Sequence, residues 1–83
     1  MDASVRTRVR ALTARELGID LDELRDDASF AGELEADSLE LVSLIMSVEA
    51  EFEAHELVIP DDQASEIDSV DDAVAYIEAL GIQ

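Results

Sequence analysis

Apolar residues recur at helical spacing in four stretches of the chain, and the first stretch has recognisable ends. Ser4 is placed to cap a helix over about residues 4–17, and Gly18 follows as a C-terminal glycine. The apolar stripe of this helix consists of Val5, Val9 and Leu12. The spacing therefore predicts a first helix that buries one face in a core.

The second helical stretch runs from about Ser38 to Glu53 and is apolar on two sides. One stripe repeats at i, i+4, i+7 and i+11 and consists of Leu41, Ile45, Val48 and Phe52. The other stripe consists of Leu39, Val42 and Met46. Such a helix either lies at the centre of a bundle or shows one apolar face to a partner, and both can hold together.

The long connection before this helix, residues 19–36, is rich in turn-forming residues. We expect it to be an ordered loop, because it carries four apolar side chains that can anchor it to a core: Ile19, Leu24, Phe30 and Leu34.

Two further helices follow. Pro60 can open a short helical turn over about residues 61–67. Ser69, with Asp72 three residues later, resembles a cap for a last helix with the stripe Val70, Ala73, Val74, Ile77 and Leu80. In no segment do apolar and polar residues alternate with a period of two over the length of a strand. The sequence predicts an all-α fold, a four-helix bundle with a long first loop and a short third helix, in a single domain of residues 1–83.

The charge is strongly negative and unevenly distributed. The chain has 22 acidic residues and five arginines, with a net charge of −17. All five arginines lie within residues 1–25, whereas 17 of the acids lie from Asp26 onward. Such a surface repels nucleic acid and anionic membranes and attracts basic protein surfaces. We expect a cationic protein partner, although solubilising carboxylates are the alternative for any one of these positions.

Composition also limits the chemistry. There is no cysteine and no lysine, so the chain has no thiolate, Schiff-base amine or phosphate-binding lysine of its own. The start has no apolar leader and no stretch is long enough to span a bilayer, so we expect a cytoplasmic protein. We also expect a monomer.

Catalytic and metal sites find no support in the sequence. The only histidine, His55, lies 17 residues after Ser38, which is about 25 Å along a continuous helix, so the two cannot form a catalytic pair. A calcium loop starting at Asp20 would have Arg25 at the position that requires glycine. We therefore expect no catalytic residue, no metal ligand and no enzymatic activity.

Ser38 itself allows two interpretations. In the structural one, Asp37 caps the second helix, Glu40 completes the cap three residues later, and the serine occupies a first-turn position. In the functional interpretation, the exposed Ser38 hydroxyl carries a modification. This interpretation needs support from residues elsewhere in the chain.

That support comes from five stretches. They read "ELGID" at 16–20, "ASFAGELEADSLELV" at 28–42, "EAEFE" at 49–53, "IPDDQASEI" at 59–67 and "SVDDAVAYI" at 69–77. With these, nearly the whole chain resembles the acyl carrier proteins, in a discrete, stand-alone form. The tripeptide "DSL" alone is not specific, but at the head of a central helix, with the flanking stretches in order, it is.

The resemblance implies a role for the serine and a set of partners. A phosphopantetheinyl transferase would attach 4'-phosphopantetheine to Ser38, next to the cap Asp37, and acyl groups would be held as thioesters on that arm. Acyltransferases, ketosynthases or other acyl-processing enzymes would dock through basic surfaces on the residues Leu39, Glu40, Val42, Met46 and Glu49. An acidic helical interaction module without a prosthetic group is the alternative from another functional class.

Some positions depart from the family pattern. Glu35 replaces a usual glycine, Leu41 a small polar residue, and Ser43 and Ala50 the acids common in fatty acid carriers. The loop over residues 53–58 is about three residues longer than in many relatives. These departures favour a dedicated polyketide-type carrier over one for fatty acid synthesis.

Overall fold

The computed structural model describes residues 4–82, which form an all-α bundle. Its four helices are α1 (Val5–Leu17), α2 (Ser38–Glu51), α3 (Asp61–Ala64) and α4 (Val70–Ala79). Single 3₁₀ turns occur at Leu21–Glu23 and Glu53–His55, and no strand forms within the described residues. The predicted four-helix bundle with a long first loop and a short third helix is confirmed.

Side-chain caps fix where the helices begin and end. The Ser4 hydroxyl accepts a hydrogen bond from the Thr7 N–H, and the Ser69 hydroxyl accepts one from the Asp72 N–H. Gly18 ends α1 at φ 65°, in the left-handed region where a Cβ is unfavourable, and its N–H reaches the Ala14 carbonyl. The residue types at these three positions therefore set the limits of α1 and the start of α4.

One continuous core fills the space where α1 packs against α2 and α4. The first loop is anchored to it by Leu24 and Phe30, which are buried, and by Leu34, which is partly buried. Ile19, in contrast, is half-exposed and lies outside the core cluster. Its predicted anchoring role is wrong, because the loop turns toward the core only after the 3₁₀ turn Leu21–Glu23.

Within α2 the most deeply buried face differs from the predicted stripe. Leu44 and Val48 are buried, whereas Leu41 and Ile45 are only partly buried. Phe52 is fully buried at the C-terminal end of the helix. Leu44 was absent from the predicted stripe, although it makes one of the main core contacts of this helix.

The last helix buries Val70, Ala73, Val74 and Ile77, as its spacing predicts. Leu80 does not continue the stripe and is 55% exposed, because α4 ends at Ala79. Ile82 is buried in its place after the chain turns at Gly81.

The arginines of α1 tie the first loop and the other helices to it. Asp26 accepts hydrogen bonds from Arg6 at 2.6 Å and from Arg10 at 2.7 Å, and Arg6 also reaches Asp71 at 2.7 Å. Arg8 binds the Glu51 carboxylate and backbone carbonyl at 2.8 Å each and lies over the Phe52 ring. The positively charged helix therefore forms ion pairs inside the molecule.

These contacts change two ionisation equilibria. Hydrogen bonds to Asp71 and then to Asp26 raise the pKa of the Arg6 guanidinium. Burial opposes ionisation of Asp26, but the hydrogen bonds from Arg6 and Arg10 outweigh it and lower the pKa of that carboxyl. Both ions are therefore stabilised in the folded protein.

No helix in the described part of the chain is long and apolar enough to cross a membrane.

Candidate functional site

Ser38 is the first residue of α2, and its side chain is exposed. The helix begins there because Asp37 and Glu40 form a reciprocal capping box. The Glu40 N–H donates to Asp37 Oδ1 at 2.8 Å, and the Asp37 N–H donates to Glu40 Oε1 at 3.0 Å. The cap holds the Ser38 hydroxyl at a fixed point on the surface.

The first turn of α2 retains hydrogen-bonding capacity. The N–H groups of Asp37 and Glu40 are paired in the cap, whereas those of Ser38 and Leu39 have no acceptor among the described residues. Free N–H groups and the helix dipole favour an anion at this end of a helix. A phosphate group attached to the Ser38 oxygen would thus meet a favourable local field despite the many carboxylates of the molecule.

The segment that precedes Ser38 forms a turn that is held by backbone hydrogen bonds. The Ala36 N–H donates to the Phe30 carbonyl at 2.8 Å, and the Leu34 N–H donates to the Ser29 carbonyl at 2.9 Å. Between them Glu35 adopts φ 55°, in the left-handed region that favours glycine. Glu35 therefore adopts this conformation at a cost of roughly 1 kcal/mol, which a glycine at the same position would not incur.

The same turn is clamped to the start of α4 by Asp68, which the sequence analysis did not identify. Its carboxylate accepts from the Ser29 hydroxyl at 2.5 Å and from the Ala31 N–H at 3.1 Å. Its carbonyl accepts from the Phe30 N–H at 2.7 Å. No local signal in the sequence indicates this pairing, because Asp68 lies 39 residues after Ser29.

The predicted partner-binding residues divide into two groups. Leu39, Val42 and Met46 are 78%, 56% and 62% exposed and form an apolar stripe on the outer face of α2. Glu40 and Glu49 are half-buried, and each carboxylate accepts a backbone hydrogen bond. The apolar stripe is available to a partner, whereas both acids also have a role inside the molecule.

A groove of about 730 Å³ lies between α2 and α3, beginning one turn from Ser38 at Leu41 and Val42. Its floor includes Leu44, Ile45 and Ile67, and Glu49 and Asp68 also line it. The interior of the bundle, by comparison, contains a cavity of only about 10 Å³. Space for an apolar group therefore exists at the surface between α2 and α3.

The structure does not bring His55 close to Ser38. His55 is exposed in the 3₁₀ turn beyond the far end of α2, and the 14 residues of that helix span about 21 Å. Within residues 4–82 no group of three or more acidic or histidine side chains could hold a metal ion.

Comparison with known families shows the class of domain to which the chain belongs. A family model described as a phosphopantetheine attachment site matches residues 7–77. The chain belongs to this family of acyl carrier domains. The domain is the attachment site for a covalently bound 4'-phosphopantetheine and is typically non-catalytic. Carrier domains work with phosphopantetheinyl transferases and acyl-processing enzymes.

Proposed function

We propose that Ser38 bears the 4'-phosphopantetheine arm, and that the domain carries acyl groups as thioesters on it in a polyketide-type pathway. One observation carries the assignment: Ser38 combines an exposed hydroxyl with free N–H groups at the start of α2.

The other serines lack this combination. Five of them make side-chain hydrogen bonds within the molecule, namely Ser4, Ser29, Ser47, Ser65 and Ser69. Ser43 is exposed but lies in the interior of α2, where the backbone N–H groups are used by the helix. Elimination among the seven serines therefore favours Ser38.

The attachment step is a phosphoryl-group transfer that a transferase performs. The Ser38 Oγ attacks the phosphate next to the pantetheine arm of coenzyme A, an O–P bond forms, and the bond to the nucleotide breaks. The serine proton passes to a base on the transferase, and the adenosine bisphosphate leaves. The arm supplies the thiol that this cysteine-free chain lacks.

The rest of the surface suits a carrier that visits several enzymes. The exposed stripe Leu39, Val42 and Met46 lies among carboxylates, while all five arginines form ion pairs within the molecule. Basic surfaces on a phosphopantetheinyl transferase, an acyltransferase or a ketosynthase would be steered toward this face. The groove beginning at Leu41 and Val42 offers room for apolar cargo.

The preference for polyketide-type over fatty acid synthesis rests on departures from the family pattern. Glu35 adopts the left-handed conformation in place of glycine, and the longer loop contains the 3₁₀ turn Glu53–His55 with Glu56 at φ 56°. Transfer rates from ketosynthases and acyltransferases of the two pathway types would separate these alternatives. Faster exchange with the fatty acid enzymes would contradict the preference. We further propose that the domain acts as a monomer in the cytoplasm.

The attachment site is tested by intact mass after incubation with coenzyme A, magnesium and a broad-specificity phosphopantetheinyl transferase. We expect one phosphopantetheine mass on the wild type and on Ser43→Ala, and none on Ser38→Ala. Circular dichroism checks that both variants keep the wild-type helical content. A modified Ser38→Ala protein would refute the assignment to Ser38, and an unmodified wild type would favour the interaction module without a prosthetic group.

A further inference from the structure

A second apolar surface lies away from the start of α2. Of the six large apolar side chains that are exposed within residues 4–82, three form the stripe on the outer face of α2. Two others, Val58 and Leu80, are 68% and 55% exposed and line a surface groove of about 500 Å³ beyond the C-terminal end of α2. Neither attachment of the arm at Ser38 nor the α2 stripe accounts for this groove.

One wall of the groove is the segment that follows α2. Glu56 adopts φ 56° and ends the 3₁₀ turn there. Leu57 and Ile59 are then buried in the core, whereas Val58 between them is exposed. Because both neighbours of Val58 are held in the core, its side chain is fixed in an outward position.

The other wall is the end of α4, where Tyr76, Leu80 and Gly81 line the groove. Gly81 turns the chain at φ 86°, so that Ile82 is buried while Leu80 remains outside. Core residues therefore hold both walls in place. A partner would meet a preformed groove, which lowers the entropy lost on binding.

Four exposed carboxylates lie in or next to the groove, and their side chains make no hydrogen bond or ion pair within the described residues. They are Glu53, Glu56, Asp61 and Glu78. Glu56 lines the groove, and the carbonyls of Glu53 and Glu78 accept the N–H groups of Glu56 and Gly81. All five arginines pair with other acids. The groove is thus apolar with an acidic rim.

Charge complementarity selects the kind of occupant. A second copy of the chain would bring another net charge of −17, and nucleic acid or an anionic membrane would be repelled in the same way. His55 is the one basic side chain that lines the groove, and it does not offset four carboxylates. The surface complements a protein segment that carries large apolar side chains among lysines and arginines.

We propose that this groove is a second docking surface, which holds a basic amphipathic segment of another protein while Ser38 stays accessible. The 14 residues of α2 span about 21 Å between the two places, so one protein can occupy the groove while another works at Ser38. Binding in the groove belongs to the unmodified protein. That the occupant tethers the carrier near its enzymes rests on the proposed function.

Tyr76 allows a direct binding assay, because it is the only tyrosine in a chain without tryptophan and it lines the groove. The probe is a synthetic helical peptide of leucine and lysine with the leucines on one face. We expect a saturable change in Tyr76 fluorescence, and NMR chemical-shift changes at Val58, Leu80 and Gly81. A peptide with glutamate in place of lysine should produce neither change.

Paired variants separate this groove from the α2 stripe. Val58→Ser together with Leu80→Ser should weaken binding at Tyr76 about tenfold or more, because two apolar contacts are lost. Val42→Ser together with Met46→Ser is the matched control and should leave that affinity unchanged. Glu56→Gln together with Glu78→Gln should weaken binding several-fold at low salt and reduce its salt dependence. Circular dichroism checks that each variant keeps its helical content.

Four results would overturn the proposal. They are chemical-shift changes confined to the α2 stripe, equal binding of the glutamate peptide, wild-type affinity in the Val58 and Leu80 double variant, and wild-type affinity in the Glu56 and Glu78 double variant. A Tyr76 signal that changes with protein concentration in the absence of peptide would identify a second copy as the occupant and would also overturn it. Modification of Ser38 is measured separately by mass, so these outcomes leave that assignment unaffected.

Discussion

Asp26 connects three parts of the molecule through two guanidinium groups. Arg6 and Arg10 reach it from α1, and Arg6 extends the network to Asp71 at the start of α4. Arg10 also donates to the Leu24 carbonyl at 2.8 Å. A single carboxylate thus joins the first loop to α1 and, through Arg6, to α4.

The lowered pKa of Asp26 gives its stabilising contribution a defined pH window. Burial raises that pKa, but the hydrogen bonds from Arg6 and Arg10 bring it below the ordinary value of 3.8. Between the folded and unfolded pKa values the unfolded chain binds more protons, so stability increases with pH there. The contribution of Asp26 is therefore present above about pH 4 and is lost as pH falls through the folded pKa.

Replacing Asp26 by asparagine tests this window. We expect Asp26→Asn to lower the free energy of unfolding by about 1–2 kcal/mol at pH 7. Urea titrations should show this difference constant from pH 7 to about pH 5 and shrinking below about pH 4. Asp27→Asn, at an exposed neighbour paired to Arg25 at 3.3 Å, should cost less than about 0.5 kcal/mol. A constant difference down to pH 3 would contradict the assignment.

Side-chain contacts could be predicted from the sequence where the two residues lie close together along the chain. The capping box of Asp37 and Glu40 depends on a spacing of three residues, which can be seen directly in the sequence. The contact between Asp26 and Arg10 spans 16 residues, and that between Asp68 and Ser29 spans 39. Such pairs depend on how the loop folds back, so no sequence pattern indicated them.

Among the elements, α2 shows why periodicity identified a helix without identifying its buried face. Leu39, Leu41, Val42, Leu44 and Ile45 leave few polar positions in its first half. Several stripes then satisfy the same spacing, and only the packing of α1 and α4 selects Leu44 and Val48. In α4, where Asp71, Asp72 and Glu78 mark the outer face, four buried positions were predicted correctly.

This division of α2 can be tested with two leucines. Leu44→Ala removes a side chain that is 3% exposed and should lower the free energy of unfolding by about 2–5 kcal/mol. Leu39→Ala, on the exposed stripe of the same helix, should change it by less than about 0.5 kcal/mol. Urea denaturation at pH 7 measures both values. A large loss for Leu39→Ala would show that the stripe stabilises the fold and would weaken its assignment to partners.

For the whole molecule the dominant quantity is the net charge of −17. The five arginines pair within the bundle at 2.6–3.4 Å, and four of the acids they pair with lie from Asp26 onward. Most of the 17 acids from that point on therefore lack a cationic partner within the described residues. The mutual repulsion of these carboxylates opposes folding. The same excess of negative charge attracts basic partners.

Salt should therefore stabilise this protein. The radius of gyration is 11.7 Å, which is comparable to the Debye length of about 8–10 Å at 0.1–0.15 M salt, so repulsion between unpaired carboxylates across the molecule is screened by salt. Their repulsion is screened more than the short arginine pairs are. We expect the melting temperature at pH 7 to rise by several degrees between 10 mM and 500 mM NaCl, since about 1 kcal/mol shifts it by about 4–8 °C. Glu66→Gln should melt higher than wild type at low salt and show a smaller salt effect. A melting temperature that falls with NaCl would mean that the arginine pairs outweigh the repulsion.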